Sequence, residues 1–310
     1  MATLSNHYNR QMPFAKRTRF LWQLRTRTLE LGERTRIMAI VNLTPDSFSG
    51  DGHAETGVAA GIKAAVAAFD SGTDIVDLGA ESTRPGAEPI TSLQEQDRLL
   101  PVLEGLLRER PEAIVSVDTY HAQTARAAAL AGAEIINDVS GLLWDEAMAE
   151  AVESTRCGLV LMHTRGKSQD WRDQPSLAPA EVLPLVLTGL REQLAFAQAA
   201  GVATASIVID PGFGFGKLGY ENFVLLAGLE KLNSLGHPLL SGISRKGFLG
   251  QAVRVLQRKT LPVPEARLTA TIAANVAAVL SGSHILRVHD LQAARESALV
   301  ADALLAQATR

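Results

Sequence analysis

The stretch Ile37 to Gly52, IMAIVNLTPDSFSGDG, sets the reading of the whole chain. Ile37 to Val41 is an apolar run of strand length, and at Asn42 it breaks into Thr44, Pro45, Asp46 and Ser47, residues that form turns. A buried strand therefore delivers polar groups to its own carboxyl end. Apolar runs at 75–78, 114–117, 135–136, 159–162, 207–209, 239–240 and 285–286 do the same. Helical patterns over 58–69, 93–107, 121–131, 146–152, 181–200, 220–232 and 267–280 separate them, and 291–306 predicts a closing helix.

Alternating β and α at this spacing implies a parallel sheet covered on both faces. Eight units predict a TIM (β/α)8 barrel over residues 36–310, with an open doubly wound sheet as the rival. In both architectures ligands bind beyond the carboxyl ends of the strands. Residues 1–35 form an N-terminal extension carrying Arg10, Lys16, Arg17, Arg19, Arg25, Arg27 and Arg34 against Glu30 and Glu33. Transit peptides share that bias, but Phe20, Trp22 and Leu24 alternate as in a strand, which predicts a short hairpin after a loose first dozen residues.

With 46% hydrophobic and 20% charged residues and a net charge of −3, the 310-residue chain has no basic excess for nucleic acid. No apolar run reaches the roughly 18 to 20 residues of a membrane span. The single cysteine, Cys157, excludes an internal disulfide and a thiolate zinc cluster and reads as a buried thiol, which fits a reducing, cytoplasmic location.

The strand ends offer Asn42, Thr44 and Asp46; Asp77, Glu81, Ser82, Thr83 and Arg84; Asp118 and Thr119; Asn137 and Asp138; His163 and Arg165; Asp210; Ser244, Arg245 and Lys246; and Arg287 and His289. One Asp or Asn after a strand is ordinarily a helix cap, but polar groups at every strand end call for a ligand. Asp118, Asn137 and Asp210 suit the donor edge of a flat heterocycle, while Arg287 and His289, with Arg84 and Arg245, suit phosphate oxygens. Other motifs fail. Gly212, Gly214 and Gly216 lack dinucleotide spacing, Lys217 is followed by Leu218 where a P-loop needs a hydroxyl, and His163 reads as a hydrogen-bonded rim residue rather than a metal ligand.

Eight segments carry a resemblance: NLTPDSFS at 42–49, DLGAESTRPGA at 77–87, SVDT at 116–119, INDVSG at 136–141, LMH at 161–163, DPGFGFGK at 210–217, SRKGFLG at 244–250 and RVHD at 287–290. Through them the chain resembles the dihydropteroate synthases of folate biosynthesis, from about Arg36 onward. The resemblance implies condensation of 6-hydroxymethyl-7,8-dihydropterin pyrophosphate with 4-aminobenzoate, with Mg2+ as cofactor and a homodimer through the later helices. It implies that Asp118, Asn137, Asp210 and Lys246 hold the pterin edge and that Met162 and Phe215 line its ring. Asn42, Arg287 and His289 would bind pyrophosphate, Asn42 partly through the metal. Mobile loops 43–52 and 82–87 would close over it, Phe48, Thr83 and Pro85 would shape the aminobenzoate pocket, Arg84 would also bind substrate, and Asp46 joins Asp118, Lys246 and Arg287 in catalysis.

Three departures stand out against that pattern. Ala39 replaces a usual Gly, which predicts a displaced strand; Gly50-Asp51-Gly52-His53 reorders the first loop; and Gly247 replaces a Ser expected to help hold the aminobenzoate carboxylate. A pterin-dependent methyltransferase and a pterin-binding paralogue without catalysis are the alternatives.

Overall fold

An antiparallel hairpin, β1 (Phe20–Gln23) and β2 (Thr28–Leu31), precedes the first barrel strand, β3 (Arg36–Asn42). There follow α1 (Val58–Asp70), β4 (Ile75–Gly79), α2 (Ser92–Glu109), β5 (Val115–Asp118), α3 (Ala122–Leu130), β6 (Ile135–Asp138), α4 (Met148–Thr155) and β7 (Gly158–Met162). Then come α5 (Pro179–Ala199), β8 (Ile207–Asp210), α6 (Glu221–Ala227), β9 (Leu240–Ser241), α7 (Gly247–Gln257), α8 (Leu268–Leu280), β10 (Ile285–Val288) and α9 (Leu291–Gln307). This computed structural model describes residues 14, 16–44, 57–82, 88–257 and 263–308. Asp46, Phe48, Thr83, Arg84, Pro85 and the reordered loop 50–53 lie outside the described residues.

Strands β3 to β8 pair in parallel in chain order, and β10 joins β3 to β9. The ring closes where Ile209 bridges Leu239 and the Ile209 N–H donates to the Pro238 carbonyl at 2.9 Å. Closure rules out the open doubly wound sheet. The pairing runs through Ala39 in unbroken register with Val76 and Val288, so the alanine does not interrupt that strand.

Strand periodicity sorts the barrel interior into layers. Met38, Ile75, Ile135, Val160, Val208, Leu240 and Ile285 point inward and form one apolar cluster with Trp22, Leu24 and Leu31 of the hairpin region. Their neighbours Val76, Ile136, Leu159, Ile209 and Leu286 belong to the outer core beneath the helices. Two residues further along each strand, the inward positions become Ile40, Asp77, Asn137, Met162, Asp210, Gly242 and Arg287. The lower interior is hydrocarbon and the upper interior is ionic.

The hairpin closes the bottom. Trp22 is fully buried there, and its indole N–H donates to the Ser206 carbonyl at 2.7 Å. Trp22→Phe keeps a ring but orphans that carbonyl, so a loss of about 1 to 3 kcal/mol is expected in urea unfolding; an unchanged midpoint would mean that the hairpin does not seal the barrel. The N-terminal arginines are structural ties. Arg17 is buried, donates to Thr35 Oγ1 at 2.7 Å and pairs with Asp302, while Arg34 and Arg36 both pair with Asp74.

Two helical expectations need correction. The pattern over 220–232 splits at Gly228 into α6 and a 3-10 turn at Leu229–Leu235, with Leu183 packed where a side chain at Gly228 would sit. The sequence reading also passed over α7, which starts at a glycine and carries no N-terminal capping signal.

Candidate active site

Arg287 crosses the barrel mouth from β10. Its Nε donates to Asp77 Oδ2 at 2.6 Å and one terminal nitrogen donates to Asp118 Oδ2 at 2.5 Å. Asp77 Oδ2 also accepts from Asn137 Nδ2 at 3.2 Å, which turns the amide oxygen of Asn137 away from that contact. Gly79 and Gly242 line the mouth beside this crossing at ordinary contact distances. A Cβ at Gly79 would lie 3.4 Å from the Asp118 Cβ, and one at Gly242 would lie 3.7 Å from Asp210 Oδ2.

The opposite wall is the segment after β8. Asp210 Oδ1 accepts the Gly212 N–H at 2.7 Å. Gly212, Gly214 and Gly216 all have positive φ (68°, 81° and 71°), and a Cβ at Gly212 would collide with the His163 carbonyl. This alternation buries Phe213 and leaves Phe215 beside the mouth, where Lys246 Nζ lies 3.9 Å from its ring centroid. Lys217 is buried beneath, with Nζ donating to the carbonyls of His163 at 2.9 Å, Gly212 at 2.9 Å and Phe215 at 3.3 Å. Three acceptors match the three donors of an ammonium and oppose the burial that pulls its pKa well down.

Burial dominates the titration of the site. It pushes Asp118 up to about 7, with the Arg287 charge pulling down and Asp77 pushing up. Asp210 is raised by burial against the Gly212 N–H and the Lys246 and Lys217 charges. Lys246 is lowered to about 8 by burial and by Arg287. For Arg287, burial works against the charge, yet Asp77 and Asp118 more than offset it and its pKa rises.

The pterin binding enzyme family model matches residues 38–289. The dihydropteroate synthase of Bacillus subtilis is 39% identical over 277 residues, covering 89% of this chain and 91% of that protein. This chain belongs to the dihydropteroate synthase family. Among solved structures, the Xanthomonas albilineans dihydropteroate synthase with 4-aminobenzoic acid matches with a TM-score of 0.80 at 38% identity, covering 89% of this chain and 96% of that one. The same organism's enzyme in complex with 7,8-dihydropteroate matches at 0.76 and 36% identity, covering 88% and 94%.

The structure places the described candidates at one end of the barrel. Asn42, Asp118, Asn137, Met162 and Asp210 sit at the ends of adjoining strands, with Phe215, Lys246, Arg287 and His289 beside them. Three expectations from sequence change. The acidic and cationic halves of the rim are joined, since Arg287 bonds Asp118 directly. Arg245 is paired with Asp290 at 2.6 Å instead of being reserved for phosphate. His289 is lowered to about 4 by burial and the Arg287 charge, so it is neutral at pH 7, with Nδ1 3.1 Å from Ser244 Oγ.

His163 is not a rim group. Its buried ring lies against Gly189 of α5, where a Cβ would come 2.9 Å from Nε2. Asp138 proves to be a turn holder that accepts the Ser140 and Leu142 N–H groups at 2.7 Å. Cys157 is buried, as expected, and burial pushes its thiol up to about 11. Sequence reasoning gave no role to Asp77 or Lys217. Asp77 is visible in sequence as one strand-end carboxylate among several, and Lys217 as the residue that spoils a P-loop.

Proposed function

We propose that this chain joins 6-hydroxymethyl-7,8-dihydropterin pyrophosphate to 4-aminobenzoate, releasing 7,8-dihydropteroate and pyrophosphate. The observation that carries the reading is the ionic upper layer, in which Asp118, Asn137 and Asp210 face Arg287 and Lys246 above a hydrocarbon plug. Carboxylates and an amide accept the pterin's N–H donors, Lys246 donates to its other edge, and Met162 and Phe215 flank the ring. Arg287 and neutral His289 donate to the pyrophosphate.

The C–O bond to the diphosphate breaks, positive charge develops on the pterin methylene, and the neutral aniline nitrogen attacks and then loses a proton. Buried carboxylates stabilise that developing charge in a site with little water. Among the described residues no group of three His, Cys, Asp or Glu side chains could hold a metal ion. Asn42 would hold Mg2+ by its amide oxygen, and that fits an ion that keeps several waters and binds phosphate oxygens. When bound, the ion would help neutralise the departing pyrophosphate. Mass detection of dihydropteroate after incubation with both substrates and Mg2+ tests the reading; pterin binding without product would leave a barrel that has the pocket and lacks the reaction.

Pterin affinity is expected to be bell-shaped in pH. It rises as Asp118 ionises near 7, because only the carboxylate accepts two N–H groups, and it falls as Lys246 loses its charge near 8. Lys246→Met should remove the alkaline limb alone in calorimetric titrations, and an unchanged limb would dismiss Lys246 as its source. The missing hydroxyl at Gly247 also has a test. A Cβ there meets nothing within 4 Å, so Gly247→Ser fits and is expected to tighten 4-aminobenzoate binding by about two- to tenfold, the worth of one hydrogen bond. An unchanged Kd would mean that backbone N–H groups at the start of α7 suffice.

We place the chain in the cytoplasm as a homodimer. No described helix is long and apolar enough to cross a membrane. Helix α8, LTATIAANVAAVL, has no charged side chain although Thr269 and Ala273 are exposed, and α9 exposes Leu299, Val300 and Leu304. Those faces support association through the later helices.

A further inference from the structure

Asp77 is fully buried inside the barrel, one layer above Ile75. A position filled only for stability would carry an aliphatic side chain, as Ile75, Ile135 and Val160 do. Instead it holds a carboxylate whose Oδ1 has no hydrogen-bond partner among the described residues and whose Oδ2 receives Arg287 Nε and Asn137 Nδ2. The Arg287 guanidinium reaches Asp77 from β10, and Gly79, the next inward residue of β4, carries no side chain.

The contacts of Arg287 are unequal in what they leave free. Asp77 takes Nε, the one nitrogen that cannot serve a bidentate phosphate contact through both fork tips. Asp118 takes a tip through Oδ2, the oxygen that a pterin's paired N–H groups would also seek, and in this proposal it yields that contact to them. Once it does, Asp77 is the remaining anchor. Held by Nε, the arginine presents both terminal nitrogens across the mouth; without that anchor its flexible stem has no fixed aim.

We propose that Asp77 is a positioning residue that clamps Arg287 by its Nε so that both terminal nitrogens meet the leaving pyrophosphate. This rests on the functional reading above, since it assigns Arg287 to the leaving group. Asp77 touches no substrate in this role and acts through Arg287 alone. The neutral variant Asp77→Asn keeps the shape and one acceptor but loses the charge that fixes the guanidinium. Arg287→Lys keeps a cation but has no Nε to clamp.

The test is a double-mutant cycle on kcat/KM for the pterin pyrophosphate, using Asp77→Asn, Arg287→Lys and the pair in the full chain. Asp77→Asn is expected to lower kcat/KM by about 10- to 100-fold in the wild-type background, the loss typical of a hydrogen bond to a charged group, and by less than about twofold in the Arg287→Lys background. Equal losses in both backgrounds, or none in either, would overturn the proposal. If Asp77→Asn does not fold, Asp77→Ser carries the same cycle. A second readout does not depend on turnover: with 15N-labelled arginine, the wild type should show a slowly exchanging Nε–H signal that Arg287→Lys deletes and that Asp77→Asn returns to fast exchange. A fast-exchanging wild-type signal overturns the clamp. Wild-type protein that makes no dihydropteroate while keeping the protected Nε–H would instead defeat the functional reading, and the role in turnover with it.

Discussion

Arg287→Ala is expected to cut turnover by about a thousandfold, at the upper end for loss of one donor to developing charge, and to weaken binding of the pterin that carries no pyrophosphate as well. The second effect follows from the direct bond between Arg287 and Asp118. Arg287 pulls the Asp118 pKa down, and even so burial holds it up at about 7. Without the arginine the carboxyl rises further and is neutral at pH 7, so its O–H faces the pterin's donors. Losing Arg287 also removes a charge that holds Lys246 down, so the alkaline limb moves up and raising the pH toward 9 should then recover part of the lost affinity. Calorimetry with the unphosphorylated pterin from pH 6.5 to 9 checks this. Unchanged affinity at pH 7 would mean that the acidic and cationic groups work separately, as the sequence alone suggests.

Asp210→Ala is expected to cost about 3 to 5 kcal/mol of pterin binding, the range for breaking a buried charged pairing. Asp210 does two jobs at once. Its Oδ1 holds the Gly212 N–H at the head of the glycine-rich turn, and its charge is the counterweight to Lys246 and Lys217. Asp210→Asn separates the two, because an amide oxygen can still accept from Gly212 while the negative charge is gone. If charge is what binds the pterin, the asparagine variant loses most of the same affinity; if the turn is what matters, it binds nearly as wild type. Equal affinity of all three proteins would remove Asp210 from the site.

The fold was legible because its signals are local. Each strand is an apolar run ending in a polar residue, and alternation within it fixes which residues face inward, as Met38, Ile75 and Val160 show. The strand ends were legible for the same reason, which is why Asp118, Asn137 and Asp210 could be named without coordinates. What could not be read is who bonds whom across the barrel. Arg287 lies 210 residues from Asp77 and 169 from Asp118 in sequence, and the pairing of β10 with β3, next to β4, brings them within 2.6 Å. Charge state was hidden as well. His289 and Arg287 look alike as cations on paper, yet burial among cations leaves the histidine neutral while two carboxylates keep the arginine charged. The His163 reading went wrong because Met162 faces inward, so the next residue turns toward α5, where Gly189 leaves room for its ring.

The most direct measurement is parallel assay of pyrophosphate and dihydropteroate from the purified wild-type chain with pterin pyrophosphate and Mg2+, with and without 4-aminobenzoate. The account predicts equal amounts of the two products, both requiring 4-aminobenzoate at the rate of full turnover and both abolished in Asp210→Ala. Tight binding of the pterin pyrophosphate with no dihydropteroate formed would contradict it, and would mean that the ionic layer serves recognition without the condensation.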